Sequence, residues 1–134
     1  GISIFDDTYN ANPDSVRAAI GVVADLPILN GSSRTVVLGM MGELGRFSEE
    51  MHLQVGEHAA RNQLQVISVG IEAARIAEGA KRAGGSVVEH FDRYEDAAKW
   101  LKGTLRAGDT VLFKGSRKAA VERVMNEVFP PTTN

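Results

Sequence analysis

Three features of the sequence predict an α/β fold with a single open, mainly parallel sheet and helices on both faces, a Rossmann-like arrangement. Short β-branched runs alternate with longer segments of helical period along the chain. Several of the short runs, Val36-Val37-Leu38 among them, are apolar throughout rather than alternating, as strands covered on both faces are. The length, 134 residues, suits one core that removes roughly two-thirds of the extended chain's surface from water.

The predicted strands run from Ser3 to Phe5, Thr35 to Leu38, Val66 to Val69, Val87 to Phe91 and Thr110 to Phe113. Between and after them lie helices predicted at Pro13 to Asp25, Glu49 to Asn62, Ala73 to Ala83, Tyr94 to Leu105 and Lys118 to Val128. Asn12-Pro13-Asp14 opens the first helix with a capping side chain, a proline at the first helical position and an acid in the first turn. Ser48-Glu49-Glu50 reads as a similar opening, and Gly84-Gly85 closes the third helix. The direction of the first strand stays open, because Leu26 to Arg34 can return the chain by more than one route. One domain, residues 1–129, is expected, with residues 130–134 (Pro130-Pro131-Thr132-Thr133-Asn134) as a disordered tail.

Composition excludes several classes of function. A net charge of -2 provides no general attraction to nucleic acid or to an anionic membrane surface. Without cysteine there is no disulfide, thiolate metal site or cysteine nucleophile, in keeping with a reducing compartment, and the cytoplasm is expected. No run is long enough to span a bilayer, and the abrupt start at Gly1-Ile2-Ser3-Ile4 is what a domain taken from a longer polypeptide would show.

Ligands of open α/β sheets bind beyond the carboxyl ends of the strands, where amides and helix N-termini point outward. Three such segments carry ligand-binding groups. After the first strand comes Asp6-Asp7-Thr8-Tyr9-Asn10-Ala11-Asn12, suited to ribose hydroxyls, a base or a metal-bound phosphate. The acids and Asn12 have an equally good structural reading, as loop organisers and a helix cap. After the second strand, Gly39, Gly42 and Gly45 are spaced for close backbone approach to a ligand, and Glu43 stands among them as a solvated acid or a ligand contact. After the last strand, Lys114, Ser116 and Arg117 gather three anion-binding groups, the serine either capping the next helix or receiving a ligand.

Other motifs are missing. Neither a G-x-G-x-x-G fingerprint nor a G-x-x-x-x-G-K-[ST] phosphate cradle nor a G-x-S-x-G elbow is present, so nucleotide chemistry requires help from outside the chain. His52 and His58, six residues apart on one helix, are badly spaced for a shared metal, no metal site is expected, and Trp100 reads as core.

Taken together, the run from Asp6 to Ser15, then Val37-Leu38-Gly39 with Glu43-Leu44-Gly45 and His52, then Lys114-Gly115-Ser116-Arg117, resemble the carboxy-terminal domain of the Mur ligases. The motifs stand in the right order, and the similarity covers essentially the whole chain. It is nearest to the member that adds D-alanyl-D-alanine to UDP-N-acetylmuramoyl tripeptide in peptidoglycan synthesis. The resemblance implies an ATP-dependent amide-bond ligase in which an amino-terminal domain holds the UDP-sugar and a central domain holds ATP and Mg2+. It implies a domain that contributes contacts but no catalysis alone. Asp7, Tyr9, Asn10 and Asn12 would lie toward ATP; Glu43, Lys114, Ser116 and Arg117 toward the dipeptide, with Gly70-Ile71-Glu72 a weaker contributor. One departure is Met40, where the family pattern leads one to expect an acid.

Two alternatives come from other classes. A receiver-type phosphoacceptor domain would use Asp6-Asp7 and Lys114 in similar places, but Gly70 stands where its phosphorylated aspartate belongs. A non-catalytic interaction domain of similar fold would expose a large apolar patch.

Overall fold

The computed structural model describes residues 1–8, 11–29, 31–116 and 121–131. Along these the elements are β1 (Ser3–Asp7), α1 (Pro13–Ala24), β2 (Arg34–Leu38), α2 (Ser48–Arg61), β3 (Gln65–Val69), α3 (Ala74–Arg82), β4 (Val88–Phe91), α4 (Tyr94–Thr104), β5 (Thr110–Lys114) and α5 (Val121–Val128). Turns of 3-10 helix at Gly45–Phe47 and Ile71–Ala73 lead into α2 and α3. The strands form one sheet in the order β1-β5-β2-β3-β4, and every neighbouring pair is parallel. This settles the direction of β1.

The alternation of side chains along each strand sorts the core into two layers. Val36, Leu38, Val66 and Leu112 face one side and pack on Val16, Ile20 and Val23 of α1, Val55 and Ala59 of α2, and Ile76 and Ala80 of α3. Val37, Ile67, Val69, Val111 and Phe113 face the other and meet Ala97, Ala98 and Leu101 of α4 and Val121 and Val124 of α5. Trp100 borders this second layer partly buried, its ring 6.4 Å from that of Phe91. The sorting follows from handedness. Crossovers that step from β1 to β2, β3 and β4 run one way across the sheet and put their helices on one face; the return from β4 to β5 puts α4 on the opposite face.

The helix ends show which local signals acted. Asn12 caps α1 through a reciprocal pair: its side-chain oxygen accepts the Ser15 amide at 2.9 Å, and its own amide donates to Ser15 Oγ at 3.0 Å. Gly84 follows the end of α3 with φ +82°, the left-handed closure expected of a glycine there. Ser48 is a correction. It does not cap α2, because the 3-10 turn runs straight into the helix and the Gly45 carbonyl already accepts the Ser48 amide. Asp6 and Asp7 are a second correction. They belong to β1 rather than to the loop, because β5 continues to Lys114 and pairs with β1 through Asp7.

Helices α2 and α3 approach closely at two glycines. A Cβ on Gly56 would lie 1.9 Å from the Ile76 carbonyl oxygen, and one on Gly79 would lie 2.0 Å from that of Leu53. Both obstacles are helix backbone, which cannot step aside as a flexible side chain does. Gly79→Ala is therefore expected to lower stability by about 2–3 kcal/mol in urea unfolding. Gly21→Ala, in open space within α1, should raise it by about 0.5–1 kcal/mol.

A pH dependence follows from His58 on α2. Burial first, and the positive charge of Arg17 second, hold its pKa below the ordinary value of 6.5. The folded chain thus binds this proton less readily than the unfolded one, so the stability is complete above 6.5 and is lost as pH falls through the depressed value. Urea midpoints measured on both sides of that pH should fall on acidification, with a smaller fall in His58→Gln. An identical slope in the variant would remove His58 as the source.

Candidate functional site

The strand order opens a crevice at the carboxyl end of β5. Chain leaving β1 and β2 turns toward the α1-α2 face, whereas chain leaving β5, which lies between them, heads for α5 on the opposite face. Loops diverging from neighbouring strands leave a gap at the carboxyl edge, and in open sheets that gap is where ligands bind. The three loops singled out in the sequence are those beside it.

Their geometry is set by a few contacts. At the end of β1, Asp6 Oδ1 accepts the Thr8 amide at 3.2 Å and the Thr8 hydroxyl at 2.9 Å, a side-chain turn that fixes how the loop leaves the strand. Asp7 points elsewhere. Its Oδ2 receives Lys114 Nζ at 2.6 Å, joining the last residues of β1 and β5, which are also register partners. Lys114 is 2% exposed and Asp7 50% exposed, so the pair presents a carboxylate to the crevice over a buried ammonium. At the end of β2, the Gly39 amide donates to the Lys114 carbonyl at 3.0 Å, and the Met40 carbonyl accepts the Ser116 amide at 3.0 Å. The β2 and β5 exits are therefore stitched together on both sides of Gly115. Ser116 Oγ is buried and has no hydrogen-bond partner among the described residues. A hydroxyl desolvated in this way costs free energy that a ligand oxygen or amide can restore.

The sequence-predicted residues sort as follows. Asp7, Lys114 and Ser116 are brought to one crevice, but Asp7 and Lys114, expected to serve different ligands, are each other's partners. Asn12 stands at the start of α1 with its side-chain oxygen taken by the cap. Glu43 is exposed in the β2 loop with φ 60°, a left-handed conformation that costs a non-glycine residue free energy and fixes where its carboxylate starts from. Gly70-Ile71-Glu72 follows β3, on the far side of β2 from β5, with Ile71 73% exposed. Met40, in place of an acid, contributes its carbonyl rather than its side chain. Tyr9, Asn10 and Arg117 lie outside the described residues, as do Lys118, predicted to open the last helix, and most of the predicted tail.

One residue was read too weakly. His52 is 1% exposed on α2 and accepts the Met41 amide at Nε2 (2.9 Å) while Nδ1 meets the Ser48 carbonyl at 2.6 Å. The available signal was its spacing: positions 52, 55 and 59 share the apolar stripe of α2, where a histidine needs a polar reason to be present. A second set looks more like chemistry than it is. Ser68 Oγ meets His90 Nδ1 at 2.6 Å and His90 Nε2 meets Asp92 Oδ1 at 2.8 Å. Ser68 is wholly buried, so no substrate reaches its hydroxyl, and the contacts tie the edge strand β4 to β3. The receiver reading also fails on topology, since β1 forms an edge of the sheet instead of lying inside it as in the flavodoxin-like order.

Comparison with known proteins points to one family. Residues 1–117 match the family described as Mur ligase, glutamate ligase domain. The chain is 34% identical over 131 residues to the UDP-N-acetylmuramoyl-tripeptide--D-alanyl-D-alanine ligase of Bacillus subtilis, covering 96% of this chain and 28% of that protein. It is 38% identical over 125 residues to the Escherichia coli ligase of the same name, covering 91% and 26%. Among solved structures, the MurF ligase of Thermotoga maritima in complex with ADP superposes with a TM-score of 0.79 at 32% identity, over 96% of this chain and 28% of that one. The chain thus spans little more than a quarter of the length of these relatives.

The Asp7–Lys114 contact makes a prediction that needs no ligand. Asp7→Asn keeps the shape but leaves a buried ammonium facing a neutral amide; because Asp7 itself is half in water, the loss should be about 1–2 kcal/mol. Urea unfolding measures it, and a neutral result would mean that Lys114 is held adequately without the carboxylate.

Proposed function

Since its match to the glutamate ligase domain takes in most of its length, the chain belongs to the Mur ligase family, and we propose that it is the carboxy-terminal domain of the ligase that joins D-alanyl-D-alanine to UDP-N-acetylmuramoyl tripeptide. The observation that carries this reading is the meeting of motifs from opposite ends of the sequence in one crevice, with Asp7 and Lys114 in contact at 2.6 Å. Residues 1–129 form the domain in this proposal. In support, the ring of Phe129 packs edge-on against Phe113 at 6.2 Å, and exposed Pro130 and Pro131 follow. The amino-terminal and central domains of the same polypeptide supply the UDP-sugar site and most of the ATP and Mg2+ site. The cytoplasm of a bacterium is the proposed location. Among the described residues no helix is long and apolar enough to cross a membrane.

The reaction divides into two transfers. The tripeptide carboxylate takes the γ-phosphoryl group of ATP, giving an acyl phosphate and ADP; the dipeptide amine then attacks the carbonyl carbon, and phosphate leaves as the amide forms. Such chemistry is accelerated mainly by positioning and by charge stabilisation. This domain's part is to present the amine. Ser116, with Arg117 beside it in sequence, receives the dipeptide, Arg117 taking its terminal carboxylate through a bidentate fork. Lys114, held by Asp7, keeps a positive charge beneath them, and Glu43 reaches in from the β2 loop. The nucleotide lies toward β1, where the half-exposed carboxylate of Asp7 suits ribose hydroxyls and Asn12, with Tyr9 and Asn10, suits the base. Alone, the domain has no phosphate cradle and turns nothing over.

An amide NMR titration tests the two subsites. ATP with magnesium should shift Asp7, Thr8 and Asn12, and D-alanyl-D-alanine should shift Lys114 and Ser116. In the full-length ligase, Ser116→Ala should raise KM for the dipeptide about tenfold, as expected for one lost hydrogen bond to a charged group, with little change in KM for ATP. Equal changes in both constants would defeat the assignment.

A further inference from the structure

We propose that His52 is a positioning residue for the dipeptide subsite, acting through the single peptide unit between Met40 and Met41. The substrate named here depends on the ligase reading; the contact itself does not. The N-H of that peptide belongs to Met41 and donates to His52 Nε2 at 2.9 Å. Its carbonyl belongs to Met40 and accepts the Ser116 amide at 3.0 Å. A peptide unit is planar, so fixing the direction of the N-H fixes the direction of the carbonyl on its other side. His52 thereby aims the acceptor that holds Ser116, whose buried hydroxyl has no partner among the described residues.

The histidine is committed to this task. Because Nε2 accepts from Met41, the ring proton must reside on Nδ1, where it donates to the Ser48 carbonyl at 2.6 Å. Ser48 is the first residue of α2, so both ring nitrogens are tied to backbone at the helix entrance. Packing does not require a histidine here. His52 shares its stripe with Val55 and Ala59, and an apolar side chain of similar volume would fill the space. It would leave the Met41 amide, next to a side chain only 2% exposed, without a partner. The peptide would then be free to turn, and Ser116 would lose its acceptor along with the orientation of its hydroxyl. Met40 acts here through backbone that any residue supplies.

Two substitutions separate positioning from packing. His52→Gln places an amide oxygen near the former Nε2 and can still accept from Met41; His52→Asn reaches only the place of Nδ1. In this chain, His52→Asn should shift the Ser116 amide and hasten its hydrogen exchange, with His52→Gln close to wild type. In the full-length ligase, His52→Asn should raise KM for D-alanyl-D-alanine about fivefold, leave KM for ATP within about twofold, and be largely rescued by His52→Gln. Equal effects of the two variants, or an unmoved Ser116 amide in His52→Asn, would overturn the proposal. If the asparagine variant does not fold, nitrogen–nitrogen scalar coupling between Met41 and His52 Nε2 in the wild-type chain decides: its presence upholds the contact and its absence refutes it. A full-length wild type that does not consume the dipeptide would sink the ligase reading instead, while the Ser116 exchange result would still judge His52.

Discussion

A buried ammonium must have counter-charge within reach, and at the end of β5 that requirement organises the carboxyl edge of the sheet. Lys114 sits on the strand between β1 and β2, with 2% of its side chain in water. Asp7 answers it from β1, an edge strand that otherwise presents mainly exposed residues and pairs with β5 alone. A slip of one residue along β1 would point Asp7 to the opposite face. The ion pair therefore specifies the register of the least buried strand, and with it the position from which the Thr8 to Asn12 segment departs.

On the other side of β5 the constraint is backbone rather than charge. Gly39 and Met40 bind the main chain on either side of Gly115, and the β2 loop is in turn held to α2. That helix is a firm anchor, because Gly56 and Gly79 bring α2 and α3 into backbone contact. Sites held on rigid elements keep their geometry better than sites on free loops. The crevice thus has one wall fixed by packing, through α3, α2 and the β2 loop, and one fixed by the pairing of β1 with β5 and the Asp7–Lys114 ion pair.

Much of this fold was legible in the sequence, for identifiable reasons. Strands covered on both faces leave apolar runs, and amphipathic helices leave a 3.6-residue period, so all ten elements were found with ends displaced by a few residues. Asn12 was legible as a cap because its partners lie within one turn. Ser48 misled because a preceding 3-10 turn supplied what a cap would have. Asp6 and Asp7 read as loop because their polarity hid a strand whose length is set by β5, far away in sequence. The same limit applies to the site. Strand ends are visible in a sequence, whereas the order β1-β5-β2-β3-β4 is not, so the sequence carried no sign that Asp7 and Lys114 hold each other. His52 was visible as a polar residue on an apolar stripe, but its partner, a main-chain amide, carries no signature in the sequence.

The pairing of β1 with β5 also bears on how the molecule is made. Asp7 and Lys114 are 107 residues apart, whereas β2, β3 and β4 follow one another as neighbours. Contacts over such separations incur a large loop-closure entropy and form late. During synthesis the β2-β3-β4 portion with α2 and α3 can settle while β1 has no strand to join, and only the emergence of β5 gives it one. The wall built on α2 and the β2 loop can thus stand early, and the crevice closes only when β5 brings Lys114 and Ser116 between β1 and β2, so a ribosome-bound chain short of its fifth strand carries one wall of the site without the other.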